Sequence, residues 1–147
     1  MTIRQKVKEF HEAMDIPVIS SPSIPADDRV RLRASLIAEE FFEVMVAMFG
    51  NAPLLVESQQ AMSGFIAFAK PHVDLESVAD GLCDLDYVIE GTRLELGIDG
   101  GPVLDEVHAA NMRKVGGPVR DDGKRLKPEG WQPPDIARVL REQRGDG

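Results

Sequence analysis

The amino-acid sequence predicts an all-α fold, a bundle of four or five helices with an irregular C-terminal tail. Apolar residues recur at helical spacing along most of the first 114 residues. Proline and glycine interrupt this pattern at intervals typical of helix lengths, and no stretch shows the clear alternation of a β-strand. The chain has 147 residues, which is the length of one domain with a sizeable core. We therefore expect a single domain over residues 1–147.

Prolines, glycines and capping residues set the boundaries of the predicted helices. Pro17, Pro22 and Pro25 make residues 16–26 an extended connection. Asp27 and Asp28 suit an N-cap or a first helical turn. The predicted helices cover residues 2–14, 28–49, 54–69, 75–96 and 102–114, and a short additional helix is predicted at 135–144.

The last part of the chain, residues 116–147, is predicted to be a tail packed on the helices. Glycine and proline are dense between residues 116 and 135, which indicates an irregular path. Trp131 is the only tryptophan, and we expect it to anchor this segment.

The charge of the chain is unevenly distributed. Residues 1–112 hold 8 basic and 19 acidic residues, a net charge of −11, whereas residues 113–147 hold 9 basic and 6 acidic residues, a net charge of +3. An acidic body repels the phosphate backbone, so nucleic acid is not an expected partner. The charged N-terminus and the absence of a long apolar run argue against secretion and membrane insertion. The single cysteine, Cys83, fits a reducing compartment and a small buried side chain. The cytoplasm is the expected location.

The segment EEFFE places Glu39, Glu40 and Glu43 on the second predicted helix. This helix is apolar nearly all round, which is typical of a buried helix. Clustered carboxylates that lose hydration repel one another, so a cation is expected beside them. Mg²⁺ prefers carboxylate oxygen and is the simplest candidate. The apolar stripe predicted to face the core consists of Ile37, Phe41, Val44, Met45 and Met48.

A second set of carboxylates lies on the predicted helix 75–96. Asp80 and Asp84 are four residues apart, Glu76 lies one turn earlier on a similar side, and Tyr87 falls close to the direction of Asp80. The two sets could hold metal ions across a groove, or they could be two independent acidic surfaces. A di-iron bundle is a weaker alternative, because it requires paired Glu-x-x-His motifs. The sequence offers only Asp105 three residues before His108, with aspartate in place of glutamate. The predicted core stripe of this helix is Val78, Leu82, Leu85 and Ile89.

Taken together, these motifs resemble the MazG-like all-α nucleoside triphosphate pyrophosphohydrolases, near their phosphoribosyl-ATP pyrophosphohydrolase and dimeric dUTPase-related branches. Glu39, Glu40 and Glu43 match the E-E-x-x-E signature of that family. Asp84 matches the closing aspartate of its second acidic pair, which is often E-x-x-D. Here Gly81 stands where that pair has glutamate, and the preceding acid is Asp80. Further resemblance lies at Phe10-His11, Arg33, residues 111–114, residues 122–128 and residues 133–135.

The resemblance implies hydrolysis of a nucleoside triphosphate between its α- and β-phosphates, giving the monophosphate and pyrophosphate. It also implies Mg²⁺ as cofactor, with Mn²⁺ as a possible substitute, and a homodimer or homotetramer. Glu40, Glu43, Asp80 and Asp84 would be metal ligands, with Glu76 as the alternative to Asp80. Glu39 would be a further ligand or the general base, so Glu39 and Glu40 are the expected catalytic residues.

The resemblance also assigns residues to the substrate. Lys114, Lys124 and Lys127 would meet phosphate oxygens, Asn111 would donate to phosphate or sugar, and Tyr87 would line the base pocket. The expected substrate is a deoxynucleotide such as dUTP or a non-canonical nucleotide removed from the nucleotide pool. Two alternatives stay open: hydrolysis of phosphoribosyl-ATP in histidine synthesis, and a helical interaction module that has lost activity.

Overall fold

The structure, a computed structural model that describes residues 1–145, is all-α, as the sequence predicts. The described chain forms six helices and no strand beyond one isolated bridge between Val119 and Arg125. No helix in this part of the chain combines the length and the apolar character that crossing a bilayer requires. The helices are α1 (Ile3–Ala13), α2 (Asp27–Phe49), α3 (Pro53–Phe68), α4 (Leu75–Leu96), α5 (Gly100–Met112) and α6 (Ile136–Arg144).

Side-chain caps explain where three of the helices begin. The Thr2 hydroxyl accepts from the Gln5 backbone N–H at 3.2 Å, and the Gln5 side chain accepts from the Thr2 N–H at 2.7 Å. Asp99 accepts from the Gly101 N–H at 2.9 Å, and Asp135 caps α6 in the same manner. Each cap satisfies a backbone donor that the first helical turn leaves unpaired.

The chain groups into two compact units. We call residues 23–74 and 122–124 the α2–α3 unit, and residues 1–22, 75–121 and those from 125 onward the terminal unit. The prediction of a single domain over residues 1–147 stays a prediction.

In the α2–α3 unit, α2 packs against α3. Leu32 and Phe42 are the buried side chains of α2, and the Arg31 guanidinium donates to the Ala69 carbonyl at 3.0 Å. The predicted core stripe of α2 is wrong for the single chain: four of its five members are exposed, namely Ile37, Phe41, Val44 and Met48. Because α2 is apolar on several sides, its periodicity alone could not show which side α3 covers.

In the terminal unit, α5 packs against both α1 and α6. Met14, Ala110 and Val139 are buried there. Lys6 is also buried, and its ammonium donates to the exposed carboxylate of Asp105. A buried lysine is stable only beside such a partner, so this ion pair fixes α1 on α5.

Residues 116–135 follow an irregular path, and those from 125 onward make hydrogen bonds within the terminal unit. The Trp131 indole N–H donates to the Ala110 carbonyl at 2.8 Å, and Arg125 donates to the Met14 carbonyl at 2.7 Å. Gly117 allows the backbone to pass close to residue 126, because a Cβ there would lie 2.4 Å from the Leu126 carbonyl oxygen. Any side chain at residue 117 would displace that backbone.

Helix α4 is exposed at every residue from Leu75 to Glu90. Its predicted core stripe, Val78, Leu82, Leu85 and Ile89, is therefore not buried in the single chain. Cys83, expected to be buried, is exposed as well. The sequence shows that α4 has an apolar stripe, but only packing decides whether the same chain covers it.

We predict that Phe42→Ala destabilises the fold far more than Phe41→Ala. The two rings touch edge to face with centroids 5.2 Å apart, yet Phe42 is 6% exposed and Phe41 is 52% exposed. Truncating a buried phenylalanine costs about 3–5 kcal/mol. The free energies of unfolding, measured by denaturant titration at low protein concentration, check this. Equal losses in both variants would contradict the assigned burial.

We also predict that the Lys6–Asp105 pair makes stability pH-dependent. The hydrogen bond from Lys6 holds the pKa of Asp105 below its ordinary value of 3.8. A lowered pKa adds stability above the unfolded-state value, and this stability is lost as the pH falls through the folded-state value. Asp105→Asn should therefore be less stable than wild type at pH 7, and the gap should narrow below about pH 4.

The matched control is Glu12→Gln, which removes the Lys8–Glu12 pair at 3.4 Å, exposed on both sides. Exposed pairs contribute little, so Glu12→Gln should follow the wild-type curve at every pH. Melting curves between pH 2.5 and 7 provide the comparison. A gap between wild type and Asp105→Asn that stays constant with pH would refute the assignment.

Candidate functional site

The carboxylates of EEFFE occupy the middle of α2. At about 100° per residue, Leu32, Leu36, Glu39 and Glu43 fall within about 60° of one another, and Glu40 lies to one side. We call these first four residues the acidic face of α2. Leu32 is buried and Glu39 is partly buried, whereas Glu40 and Glu43 are exposed. The face thus carries carboxylates next to apolar surface, where loss of hydration makes them sensitive to nearby charge.

A tight turn at residues 122–124 belongs to the same unit as the acidic face. The Lys124 backbone N–H donates to the Asp122 carboxylate at 3.2 Å, and Gly123 has φ +92°, a left-handed conformation that favours glycine. A Cβ on Gly123 would lie 3.5 Å from Leu32 Cδ2 and from Arg29 Nη1. The turn therefore lies against the first half of α2.

The Lys124 ammonium donates a hydrogen bond to Glu39 Oε2. Both side chains are about three-quarters buried, with 28% of Lys124 and 25% of Glu39 exposed. Charge-assisted bonds with restricted solvent access are stronger than those on an open surface. The cation expected beside EEFFE is therefore supplied, at Glu39, by a lysine of the chain itself.

The second set of predicted site residues lies on α4, in the terminal unit. Glu76, Asp80 and Asp84 are exposed, and Tyr87 is 83% exposed. Tyr87 is thus not a core residue of the single chain and presents its ring to solvent. Its phenol and ring are free to meet a ligand or another protein surface.

Three further predicted substrate residues lie around Trp131. The Lys127 and Lys114 ammonium groups lie 4.6 Å and 5.6 Å from the centroid of the indole ring. Lys114 also donates to the Asn111 side-chain oxygen at 2.7 Å. We call Asn111, Lys114, Lys127 and Trp131 the indole–lysine cluster. Two ammonium groups beside one ring form a local positive potential, in which cation–π contacts hold the lysines in place.

The carboxylate oxygens of the acidic residues are ligands that a hard divalent cation such as Mg²⁺ prefers. Glu39 shows that the acidic face of α2 attracts a cation, because it binds the Lys124 ammonium. Within residues 1–145, however, no group of three histidine, cysteine, aspartate or glutamate side chains is arranged to hold a metal ion. The described part of the single chain therefore supplies suitable ligand types but does not bring three of them together around one position. The di-iron alternative loses its residues, because Asp105 pairs with Lys6 and His108 with Glu9 at 3.0 Å.

The structure brings together some of the predicted site residues in pairs that the sequence did not indicate. Lys124 was expected at phosphate and is found on Glu39. Trp131 was expected only as an anchor and also contacts Lys114 and Lys127. The only sequence signal for this second role is the composition of the tail, where the single tryptophan lies four residues after Lys127.

Comparison with known proteins identifies the family. The family model described as phosphoribosyl-ATP pyrophosphohydrolase matches residues 7–111, more than two thirds of the chain. The chain belongs to this MazG-like family of NTP pyrophosphohydrolases. Membership implies a nucleotide substrate, and the family is typically metal-dependent. Among curated proteins there is no significant match.

The fold is also similar to a solved structure. A candidate NTP pyrophosphohydrolase from Exiguobacterium sp. 255-15, determined by crystallography at 1.78 Å resolution, superposes with a TM-score of 0.67 at 28% sequence identity. The match covers 98% of this chain and 97% of that chain, so it includes the tail. The family match, by contrast, ends at Asn111 and leaves Lys114, Lys124 and Lys127 outside it.

Proposed function

We propose that the chain is a nucleoside triphosphate pyrophosphohydrolase that cleaves the bond between the α- and β-phosphates of a (deoxy)nucleotide. The observation that carries this proposal is the family match over residues 7–111, which contains E-E-x-x-E as well as Asp80 and Asp84. A nucleotide-cleansing role on dUTP or a non-canonical nucleotide is the preferred assignment.

Glu40, Glu43, Asp80 and Asp84 are the proposed metal ligands, and Glu76 is the alternative to Asp80. They are acidic, they lie on the two helices that carry the two acidic sets, and all four, like Glu76, are exposed and open to a ligand. When bound, Mg²⁺ would offset the negative charge of the triphosphate and make water more acidic. Mn²⁺ prefers the same oxygen ligands and is the natural substitute.

Glu39 is the proposed general base, and a further metal ligand is its alternative role. A carboxylate that is not fully engaged in coordination can take a proton from water. The water oxygen forms a new bond to the α-phosphorus, the bond from that phosphorus to the bridging oxygen breaks, and pyrophosphate leaves with the electron pair. The partly buried position of Glu39 beside apolar surface limits competing hydration.

The indole–lysine cluster is the proposed phosphate-binding element, together with Lys124. A triphosphate carries about four negative charges, and lysines bind such groups as point charges. Lys114 and Lys127 lie in the basic last part of the chain, residues 113–147. Cation–π contacts with the Trp131 ring place both ammonium groups together, where they can attract a phosphate. Asn111 would donate to phosphate or sugar, and the exposed ring of Tyr87 would line the base pocket.

Phosphoribosyl-ATP is a second candidate substrate, because the matching family model carries that description. It presents the same triphosphate-type linkage with a sugar phosphate on the base. A panel of dUTP, dCTP, dTTP, dATP, dGTP and phosphoribosyl-ATP, assayed with Mg²⁺ and pyrophosphate detection, separates the two. Release from phosphoribosyl-ATP alone would favour the second candidate, and release from no substrate would favour an inactive helical module.

We further propose that the protein acts as a homodimer or homotetramer. Helix α4 exposes its whole apolar stripe, and α2 exposes most of its own. Contiguous exposed apolar faces on two helices are unusual for a monomer and typical of a subunit interface. A second copy of the chain offers the same faces in return.

We predict that Glu39→Gln, Glu40→Gln and Glu43→Gln each lower turnover by at least about tenfold, the low end for disturbing metal coordination or its support. Each change keeps the shape of the side chain and removes one charge. Pyrophosphate release at saturating Mg²⁺ measures the effect. The control is Glu57→Gln, an exposed glutamate of α3, which should stay within about twofold of wild type. Near-wild-type turnover in all three variants would refute the catalytic assignment.

We predict that sedimentation at micromolar concentration gives at least twice the 16.2 kDa mass of one chain. Leu82→Arg places a charge in the exposed stripe of α4 and should shift the protein towards monomer. The control is Leu54→Arg on α3, where the leucine is even more exposed and lies outside both stripes. A monomer for the wild type, or dissociation by both variants alike, would contradict the proposed interface.

A further inference from the structure

Lys124 is proposed to bind the phosphate of the substrate, yet in the structure its ammonium binds Glu39. The turn that delivers it is well defined: Gly123 adopts a left-handed conformation, and Asp122 accepts from the Lys124 N–H. The backbone of Lys124 is therefore held by an ordered turn where its side chain reaches the acidic face. Its ammonium occupies a carboxylate that must be free to act as a base or a ligand.

A divalent cation and an ammonium cannot occupy one carboxylate without repelling each other. Glu43 lies one turn beyond Glu39 on the same face, so an ion held there would lie close to the Lys124 ammonium. The repulsion is strong because both Lys124 and Glu39 are largely shielded from water. Metal binding should therefore weaken the Lys124–Glu39 bond.

We propose that Lys124 is an internal competitor of the metal ion at the acidic face, and that metal binding transfers its ammonium from Glu39 to the phosphate of the substrate. This inference rests on the proposed function. It makes Lys124 a positioning residue that couples the two binding events: without metal it neutralises Glu39, and with metal it releases Glu39 and becomes available to the triphosphate.

The test is Mn²⁺ binding to the substrate-free protein, measured by calorimetry. Lys124→Met removes the competitor and should tighten Mn²⁺ binding about two- to fivefold, the range of a partly exposed ion pair. Lys8→Met removes the same charge from an exposed pair on α1 and should leave the affinity unchanged. In a Glu39→Gln background the gain from Lys124→Met should be smaller, because the ion pair that holds the ammonium at the acidic face is already lost.

A second measurement separates transfer from simple repulsion. Lys124→Met should raise the KM for the triphosphate while it increases the affinity for Mn²⁺. Loss of a purely structural lysine would weaken the binding of both ligands or leave both unchanged. Gly123→Ala keeps the lysine and strains its turn, so it should tighten Mn²⁺ binding in the same sense.

The outcomes also distinguish the two proposals. If the wild type binds Mn²⁺ and releases pyrophosphate, but Lys124→Met binds Mn²⁺ no more tightly than Lys8→Met, the competition is refuted and the proposed function stands. If the wild type binds no Mn²⁺ but releases pyrophosphate, the competition is likewise refuted and the proposed function stands. If it neither binds Mn²⁺ nor releases pyrophosphate, both proposals are overturned. Tighter Mn²⁺ binding with a raised KM in Lys124→Met supports the transfer.

Discussion

The arrangement of the candidate site depends on one electrostatic constraint: carboxylates placed beside apolar surface need a positive charge close by. On α2 this charge comes from Lys124 at Glu39. The constraint explains why residues 122–124 group with α2 and α3 although the chain on either side of them groups with the other helices. The cation at Glu39 thus comes from the last part of the chain, residues 113–147, whose net charge is +3.

The terminal unit also pairs a charge of restricted solvent access with an opposite charge, but there the shielded group is positive and its partner is negative. There the buried group is the Lys6 ammonium, and the exposed partner is the Asp105 carboxylate. His108 and Glu9 form a second pair between the same two helices. These contacts fix α1 on α5 and use the residues that a di-iron site would have required. Ion pairs thus serve packing in one unit and candidate chemistry in the other.

Helix α4 carries Asp80 and Asp84, two of the proposed metal ligands, and has no buried side chain between Leu75 and Glu90. An amphipathic helix gains most of its stability from packing its apolar face, so an uncovered α4 points to a partner surface. Under the proposed assembly, the same event that covers the apolar stripe would also fix the position of Asp80 and Asp84. Oligomerisation and completion of the ligand set would then be one process.

The sequence by itself determined the fold class and the helices. The boundaries near Asp27, Gly50, Leu75 and Asp135 follow from first-turn acidic residues, caps and helix breakers, which act within one turn and need no tertiary information. The E-E-x-x-E motif could likewise be identified from the sequence, because its three glutamates lie within two turns of one helix. Tertiary structure alone decided which side of α2 is buried, since Phe42 and Phe41 are chemically identical neighbours on a helix that is apolar on several sides. It also decided that Lys124 binds Glu39 and that Lys114 lies beside the Trp131 ring, because these contacts join residues 85 and 17 positions apart and no local pattern encodes them.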